Sequence, residues 1–437
     1  MKAHLLRVSL LLSTLMQGLL GAVPSLDGSS LRITPDLIAR LTDEARSHSP
    51  AIGAADARAD AASAAVDAVR NWDDPIVSLG LWIPSSHSFP SSDQGNIIYG
   101  LEQRLPLFGR PKLARDVAEA DAAKERLNVE SATLGMRHDL TVALLGIAMA
   151  DEALSRARQD LGWIDQTVLA VDGRYRVGRS TQVEWLKVQT ERAKAGNDLI
   201  SLEQERGSRV VQLNRVLNRD LHSPWPRIEL PGIADEVPYD DRLVAAALGF
   251  APKLKVMRQE AAQTDAAARL TRSQRLPDIG IGLEARQYSN DGGIREGTMT
   301  VNFSVPWLNH KGYDSDLRRD IARKRASERE ADDYELGVRE EIHHMTVDLD
   351  AARRQAVLYR DEIIPLAEQT LASARTAWEN NLGTFQDILE THRMLVEDRL
   401  VLAKAITLQA SGIADLTLLT GLTDYKNQGE GAQSAQQ

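Results

Sequence analysis

The feature that most constrains this chain is an internal duplication, in which residues 50–218 and 252–421 follow one template. Each copy is predicted to run through a helix, a β-hairpin, a very long helix, a turn and a return helix. Matching residues keep a spacing of 200 to 203 positions: Pro50 and Pro252, Pro75 and Pro277, Pro106 and Pro306, Tyr175 and Trp378, and Leu186 and Leu389. Solenoid repeats usually have about 20–50 residues. Two copies of this length therefore indicate a duplicated protomer whose halves lie side by side.

The composition favours a folded chain without a nucleic-acid partner. Hydrophobic residues make up 43% and charged residues 26% of the 437 positions, which is typical of globular proteins. The net charge of −10 argues against nucleic acid and against a basic surface for anionic lipid. The sequence has no cysteine, so disulfides, thiolate metal ligands and a lipid-acylated N-terminal cysteine are not expected.

The N-terminal residues have the pattern of a secretory signal peptide. Lys2 and Arg7 are basic, Val8–Leu15 is apolar, and the small residues of Gly18–Ala22 suit a cleavage site. A short N-terminal anchor helix is the alternative interpretation. No later segment is expected to cross a membrane as a helix, so the exported protein must contact any membrane by other means.

Both copies contain a β-hairpin, predicted at residues 75–105 and 277–305. Apolar and polar residues alternate over strands of about nine or ten residues. In the last strand the alternation is clear: Met299, Val301 and Phe303 are interleaved with Thr298, Thr300 and Asn302. Strands of this length suit a tilted membrane β-strand. The hairpin loops, 84–96 and 287–295, are polar.

A long helical run follows each hairpin, at Lys112–Val177 and Tyr313–Trp378, with Pro365 as the only internal proline. About 65 residues form a rod of roughly 100 Å. The first run has a heptad seam: Leu140, Ile147, Leu154, Leu161, Val168 and Tyr175, with Ala143, Ala150, Ala157, Ile164 and Val171 three positions later. A sustained heptad repeat predicts helices supercoiled around their neighbours. Return helices are predicted at Thr181–Leu217 and Phe385–Leu419.

These patterns divide the chain into five parts. We expect a signal peptide at 1–22, a first repeat at 23–221, a linker at 222–238, a second repeat at 239–423 and a disordered tail at 424–437. Four strands per chain cannot close a membrane barrel, because open edges are excluded from hydrocarbon and known barrels have about eight strands or more. The chain is therefore expected to share a barrel with copies of itself.

Three local motifs carry a family resemblance. Ser49-Pro50 and Ala251-Pro252 end the opening helix pairs, the strand-to-helix junction Leu105–Arg110 is answered by Val305–Asn309, and the turn motif is Tyr175–Leu186. In this order and duplication, the chain resembles the TolC-like outer-membrane factors of tripartite efflux and type I secretion systems. The chain as a whole, including the Pro-Leu-Phe-Gly-Arg junction at 106–110, resembles the heavy-metal efflux subgroup more than the archetypal drug and protein exporters.

The resemblance implies a mainly α-helical protomer with a membrane β-barrel portion, which assembles as a homotrimer with a 12-stranded barrel and an α-helical periplasmic tunnel. It implies a Gram-negative outer-membrane location, contact with outer-membrane lipid, and a periplasmic adaptor and inner-membrane pump as partners. The implied adaptor-docking tips are Gly178, Arg179, Ser180 and Thr181 in the first copy and Leu382, Gly383 and Thr384 in the second. The implied periplasmic gate consists of Asp387 and Glu390, with Glu184 as the first-copy counterpart of Asp387.

The predicted function is passive export through an efflux duct, with heavy-metal cations as one cargo and drug efflux or type I secretion as alternatives. No enzyme activity, cofactor or bound metal is expected. One rival hypothesis is a periplasmic coiled-coil scaffold without a pore, which would share the heptads but not the alternating strands. A second rival is a di-iron enzyme built on the overlapping Glu-x-x-His pairs of Glu340, Glu341, His343 and His344.

Overall fold

The structure, a computed structural model, describes residues 30–81, 95–288 and 292–423. Over these residues it is mainly helical, with one four-stranded sheet and one short strand pair. The helices are α1 (Pro35–His48), α2 (Pro50–Ala68), α3 (Arg110–Arg176), α4 (Gln182–Val216), α5 (Asp241–Phe250), α6 (Pro252–Ser273), α7 (His310–Leu358), α8 (Ile364–Glu379) and α9 (Phe385–Thr420). The strands are β1 (Leu31–Arg32), β2 (Ile76–Leu81), β3 (Gly95–Arg104), β4 (Ile228–Glu229), β5 (Ile279–Tyr288) and β6 (Ile294–Phe303).

The same order of elements occurs twice. Elements α1, α2, β2, β3, α3 and α4 of the first copy correspond to α5, α6, β5, β6, α7–α8 and α9 of the second. Pro50 and Pro252 each occupy the start of a helix, where the missing N–H would be unpaired in any case. Thr34 caps α1 as its residue type predicts, accepting a hydrogen bond from the Leu37 amide at 3.2 Å.

The two hairpins join into one antiparallel sheet of order β2-β3-β5-β6. Strand β3 of the first copy pairs with β5 of the second from Gly95 to Arg104. The outer edges of β2 and β6 have no strand partner among the described residues. The sheet is therefore built from both copies and has an open edge at each side.

One face of this sheet is apolar across all four strands. The register places Val77, Leu101, Leu283 and Met299 in one continuous row. Six large apolar side chains of the edge strands are between 58% and 78% exposed: Val77, Leu79, Leu81, Met299, Val301 and Phe303. The opposite face carries Ser78, Gly100, Glu284 and Thr298 in the neighbouring row. The predicted alternation thus gives the sheet one polar face and one apolar face. The apolar side chains remain exposed in the single chain.

The strand-to-helix junction of the first copy is fixed by backbone geometry. Phe108 and Gly109 both have positive φ, 60° and 68°, which turns the chain sharply between β3 and α3. Arg110 then donates hydrogen bonds to the carbonyl oxygens of Ser273 and Leu276 and forms an ion pair with Asp278. The first long helix is thereby attached to the base of the second hairpin.

Helix α3 is a single rod of 67 residues, roughly 100 Å long. Its heptad residues lie at helix contacts, and Leu140, Ile147 and Val171 are completely buried. The second rod differs, because a π-helical turn at Tyr359–Ile363 separates α7 from α8. Pro365 follows this turn and lacks the N–H that would continue the α-helical bonding. The continuous second run that the sequence predicts is therefore interrupted.

Three apolar clusters stabilise the helices. One joins α1 to the middle of α3 and the end of α4, and includes Leu41, Leu144 and Leu213. Its counterpart in the second copy joins α5, α7 and the end of α9. The third cluster lies towards the helical turns and combines α3, α4, α8 and α9 through Val171, Val188 and Phe385.

The segment between the copies is pinned to the return helices at equivalent positions. Arg206 of α4 donates to the carbonyl oxygens of Trp225 and Pro226 at 3.1 and 3.2 Å. Gln409, which is 203 positions later, both donates to and accepts from the backbone of Ala234 at 2.9 and 3.0 Å. The linker therefore follows the helix surface in an ordered path.

One of the later helices is apolar over much of its length, and part of the sequence lies outside the described residues. By length and apolar composition α9 is similar to a membrane-crossing helix, which does not test the expectation that no later segment crosses a membrane as a helix. In the protomer, however, α9 packs along α3, α7 and α8, and its apolar residues contribute to two of the clusters. The predicted signal peptide and tail, and most of the first hairpin loop, lie outside the described residues.

Candidate gate and docking tips

Both helical turns have the same backbone geometry despite different residues. Gly178 has φ of 73° and its counterpart Asn381 has φ of 59°. After each, an amide bonds back to the carbonyl oxygen five residues earlier at 2.8 Å, from Arg179 to Arg174 and from Leu382 to Ala377. Asparagine is among the few side chains that adopt this left-handed conformation readily. The substitution of glycine by asparagine therefore leaves the turn unchanged.

A capping box begins each return helix. The Thr181 hydroxyl accepts a hydrogen bond from the Glu184 amide at 3.2 Å, and the Glu184 carboxylate accepts one from the Thr181 amide at 3.1 Å. Thr384 and Asp387 make the same reciprocal pair at 3.2 and 3.0 Å. Ser180 also donates to the Glu184 carboxylate. Two of the three candidate gate carboxylates thus have a local role in helix capping.

The capping interaction sets the ionisation of Asp387. The hydrogen bond from the Thr384 backbone amide lowers the pKa of the Asp387 carboxyl below its usual value. Asp387 and Glu390 are both exposed and lie three positions apart, so they occupy the same side of α9. The structure places two carboxylates together at this turn of α9, and Asp387 is held in the ionised form.

The candidate docking residues lie at the exposed ends of the molecule. Gly178, Arg179, Thr181 and Thr384 are exposed, while Ser180 and Gly383 are half-buried. Leu382 is 85% exposed. A methyl group at Gly383 would lie 3.0 Å from the Ala377 side chain, so this position favours a glycine.

Sequence patterns did not indicate a residue that connects the two tips. The guanidinium of Arg174, near the end of α3, lies 4.3 Å from the centroid of the Trp378 ring on α8. It donates to the Asn381 side-chain oxygen at 2.6 Å and to the Glu379 carbonyl oxygen at 3.5 Å. The partners are about two hundred positions away in the chain, so no local periodicity could have identified the contact. We call this group the tip clamp.

Further polar contacts join the two return helices. Lys187 donates to the Gln386 side chain at 3.1 Å, and Arg393 forms an ion pair with Glu191 at 2.5 Å. These contacts connect α4 of the first copy with α9 of the second. Together with the tip clamp, they hold the helical ends of the two copies in one unit.

The Glu-x-x-His segment lies on the surface of α7. Glu340, Glu341, His343 and His344 are exposed, and Ile342 between them is buried. The His343 ring packs against the edge of Tyr239 at 5.1 Å, and His344 lies 3.7 Å from Glu340. Among the residues that the structure describes, no three histidine, cysteine or acidic side chains converge as a metal site.

Solved structures of two outer-membrane channels and of a further outer-membrane protein share this fold. The chain aligns with OprN, an outer-membrane channel, at a TM-score of 0.77 and 16% identity, covering 88% of this chain and 90% of OprN. VceC of Vibrio cholerae aligns at 0.73 and 17% identity, covering 88% and 95%. CmeC of Campylobacter jejuni aligns at 0.74 and 13% identity, covering 88% and 85%. No curated protein sequence matches the chain significantly.

The outer membrane efflux protein family model matches residues 41–219 and 243–422. The two matched segments cover most of the chain, and they separate at the linker between the two copies. The chain therefore belongs to the outer membrane efflux protein family, which confirms the TolC-like resemblance inferred from the motifs.

Proposed function

We propose that the protein is the outer-membrane exit duct of a tripartite efflux system. Three chains would form a 12-stranded barrel continued by a periplasmic helical tunnel, through which cargo leaves without chemical change. The observation that carries the proposal is the four-stranded sheet with one uncovered apolar face and two open edges, in a chain of the outer membrane efflux protein family.

The open edges make a single chain unsuited to the membrane. Each unpaired backbone amide or carbonyl costs several kcal/mol in hydrocarbon, so β2 of one chain must pair with β6 of the next. The apolar row of Val77, Leu101, Leu283 and Met299 would then face lipid, and the polar row would line the lumen. Trp72 and Trp307, 55% and 58% exposed at the base of the sheet, suit the aromatic belt of such a barrel. A coiled-coil scaffold without a pore gives no reason for this sheet.

The mass of the protein extracted from the outer-membrane fraction tests the assembly. We expect a detergent-corrected particle close to three times the mass of the exported chain, which is the 48.1 kDa of the full sequence less the predicted signal peptide. The particle should resist dissociation because its strands are paired between chains. A second arm replaces Val301 on the lipid-facing side with arginine, and Thr300 on the opposite side with arginine as the matched control. Only the first should prevent membrane insertion. A water-soluble monomer in the periplasmic fraction would refute the barrel.

Gating is proposed to occur at the helical tips. Three copies of Asp387 and Glu390 would form adjacent carboxylate rings around the tunnel entrance, favouring cations and narrowing the passage. Opening requires the second tip to move away from the axis against the contacts that join it to the first. An adaptor that binds the open arrangement more tightly would shift the equilibrium towards it; the exposed residues Arg179 and Leu382 are proposed parts of its docking surface.

Single-channel recording tests the carboxylate rings. The variant Asp387→Asn with Glu390→Gln should conduct more current and select less strongly for cations, because the rings lose their charge. Glu340→Gln with Glu341→Gln removes two exposed carboxylates on α7 and serves as the control, with no expected change. Unchanged selectivity in the first variant would place the gate elsewhere.

Heavy-metal cations are the proposed cargo, and the support is the resemblance of the chain, including the junction at residues 106–110, to that subgroup. Deletion of the protein should lower resistance to copper, zinc or cobalt salts and leave drug tolerance unchanged. Loss of drug tolerance alone, or loss of secretion of a protein substrate, would instead assign the duct to one of those systems.

A further inference from the structure

Two histidine–aspartate contacts join α3 of the first copy to α9 of the second. His138 of α3 approaches Asp415 of α9, with 2.5 Å between Nε2 and the carboxylate oxygen. His392 of α9 approaches Asp160 of α3 at 2.6 Å. The two contacts are 22 positions apart along α3, or about 33 Å. We call the contact surface between these helices the α3–α9 seam; it lies where the two copies meet.

The two histidines have different surroundings. Both ring nitrogens of His138 face carboxylates, Nε2 towards Asp415 and Nδ1 towards Asp139 at 3.1 Å. Such an arrangement suits the doubly protonated ring, in which both nitrogens donate. His392 has a carboxylate on one side only; its Nδ1 is buried without a hydrogen-bond partner.

The position of His392 is fixed by packing as well as by charge. Its ring stacks on Trp163 at 3.5 Å with 9° between the planes, and the residue is 8% exposed. The cavity beside it, about 430 Å³, is lined by apolar side chains and by charged groups of α3, α8 and α9. Those groups have partners: Arg399 bonds Glu368 at 2.6 Å, Arg375 bonds Glu379 at 3.0 Å and Arg156 bonds Glu152 at 2.7 Å.

We propose that His138, held between Asp415 and Asp139, is a proton-dependent clasp on the α3–α9 seam, and that the His392–Asp160 contact is a second attachment fixed mainly by packing. In mildly acidic solution the protonated His138 ring attracts both carboxylates, and its contact with Asp415 holds α9 against α3. As the pH rises the ring loses its charge, and one of its two charge-assisted hydrogen bonds is lost.

The electrostatics give the direction of the effect. The hydrogen bond to Asp415 raises the pKa of His138 above its ordinary value, and partial burial opposes the rise. A histidine whose pKa is raised by folding stabilises the folded seam fully below its unfolded value of about 6.5. That contribution disappears as the pH rises through the folded value. The seam is therefore tightest in mildly acidic solution and loosens as the pH rises through the raised pKa of His138.

The consequence for transport rests on the proposed function. In the duct, opening at the tips requires α9 to move relative to α3, so a clasp on this seam would make opening easier as the external pH rises. The clasp itself depends only on contacts within one protomer and can be measured without any ion current.

Amide hydrogen exchange of the extracted trimer tests the clasp directly. Exchange of the α9 segment around Asp415, corrected for the intrinsic pH dependence of the chemistry, is followed between pH 6 and pH 8.5. We expect protection to fall with rising pH, on the order of tenfold for each unit by which the seam raises the histidine pKa. His138→Gln should abolish this pH dependence, and Asp415→Asn should reduce it strongly. His392→Gln is the matched control, in which the pH dependence of protection around Asp415 should persist.

The outcomes separate the two proposals. A pH dependence that persists in both His138→Gln and Asp415→Asn, or that is absent from the wild type, would overturn the clasp. If one variant fails to assemble, the other variant gives the same comparison. A pH-dependent seam in a protein that forms no channel in planar bilayers would support the clasp and refute the duct.

Discussion

Removal of the Arg174 guanidinium should loosen the second tip by about 2 kcal/mol. The charged hydrogen bond to the Asn381 side chain, 2.6 Å long, contributes about 1.5–3 kcal/mol in typical cases. The cation–π contact with Trp378 at 4.3 Å adds about 0.5–1 kcal/mol at an exposed site. Arg174 is half-buried, so solvent screening places the sum near the lower end of this range.

The assay is amide exchange at the second turn, where Leu382 donates to Ala377 at 2.8 Å. Arg174→Met keeps an apolar chain of about the length of the arginine stem but loses the guanidinium and both contacts, and exchange of this amide should become roughly thirtyfold faster. Arg176→Met is the matched control, because Arg176 is 76% exposed and pairs with Asp172 within its own helix. The control should change exchange by less than about twofold, as exposed ion pairs contribute little.

A double-mutant cycle separates the clamp from the strain at the turn. Asn381→Ala alone also places alanine in the left-handed conformation, which costs about 1–2 kcal/mol. The cycle measures Asn381→Ala both in the wild type and in Arg174→Met, so the strain contributes equally and cancels. The remaining coupling energy between the two side chains is expected at about 1 kcal/mol or more, because the groups are in direct contact. Additive effects of the two substitutions would refute the clamp, even if each variant alone exchanged faster.

Three further predictions follow from the packing and caps. Gly421→Ala should lower the free energy of unfolding by about 2 kcal/mol or more, measured by thermal unfolding. Gly421 has φ of 71°, and the new methyl group would lie 2.8 Å from the ring of Phe250. Ile342→Ala, at a fully buried site, should cost about 2–5 kcal/mol, whereas Leu336→Ala at an exposed site serves as control and should cost little. Fraying at the start of α9 should increase as the pH falls through the lowered pKa of Asp387, because protonation removes the negative charge that strengthens the hydrogen bond from the Thr384 amide. Asp387→Asn should show no such pH dependence in amide exchange.

Local sequence patterns were sufficient for the elements themselves. Strand alternation predicted the sheet's apolar face, and the heptads predicted a rod that starts and ends within two residues of α3. Both patterns arise because one face of the strand or helix packs against the same neighbour along its whole length. Apolar residues therefore recur at a regular spacing in the sequence. Pro365 was the one residue that argued against a continuous second helix, because proline lacks the N–H donor of a helical hydrogen bond. The structure has a π-helical turn directly before it.

The lateral contacts between the copies could not be derived in the same way. The tip clamp joins Arg174 to residues about two hundred positions later, and His138 meets Asp415 across a still longer interval. Each contact depends on a single side chain and on the rotation of two helices about their axes. Neither property produces a repeating pattern in the sequence. Arg174 and His138 therefore cannot be distinguished by sequence from the other arginines and histidines of the chain.

Comparison of the two copies identifies Glu390 as the more informative gate residue. Glu184 and Asp387 are both acidic, and both complete a capping box; their charge is explained by helix initiation alone. The counterpart of Glu390 is Lys187, so only the second copy carries an acid there, without a capping role. Glu390→Gln should therefore account for most of the loss of cation selectivity in the double gate variant, while Asp387→Asn should mainly increase fraying. Planar-bilayer selectivity measured beside amide exchange separates the two effects. The reasoning would be contradicted if Asp387→Asn and Glu390→Gln changed the cation selectivity equally and neither variant increased fraying. Both carboxylates would then act on the permeating ions by their charge, regardless of the capping role of Asp387.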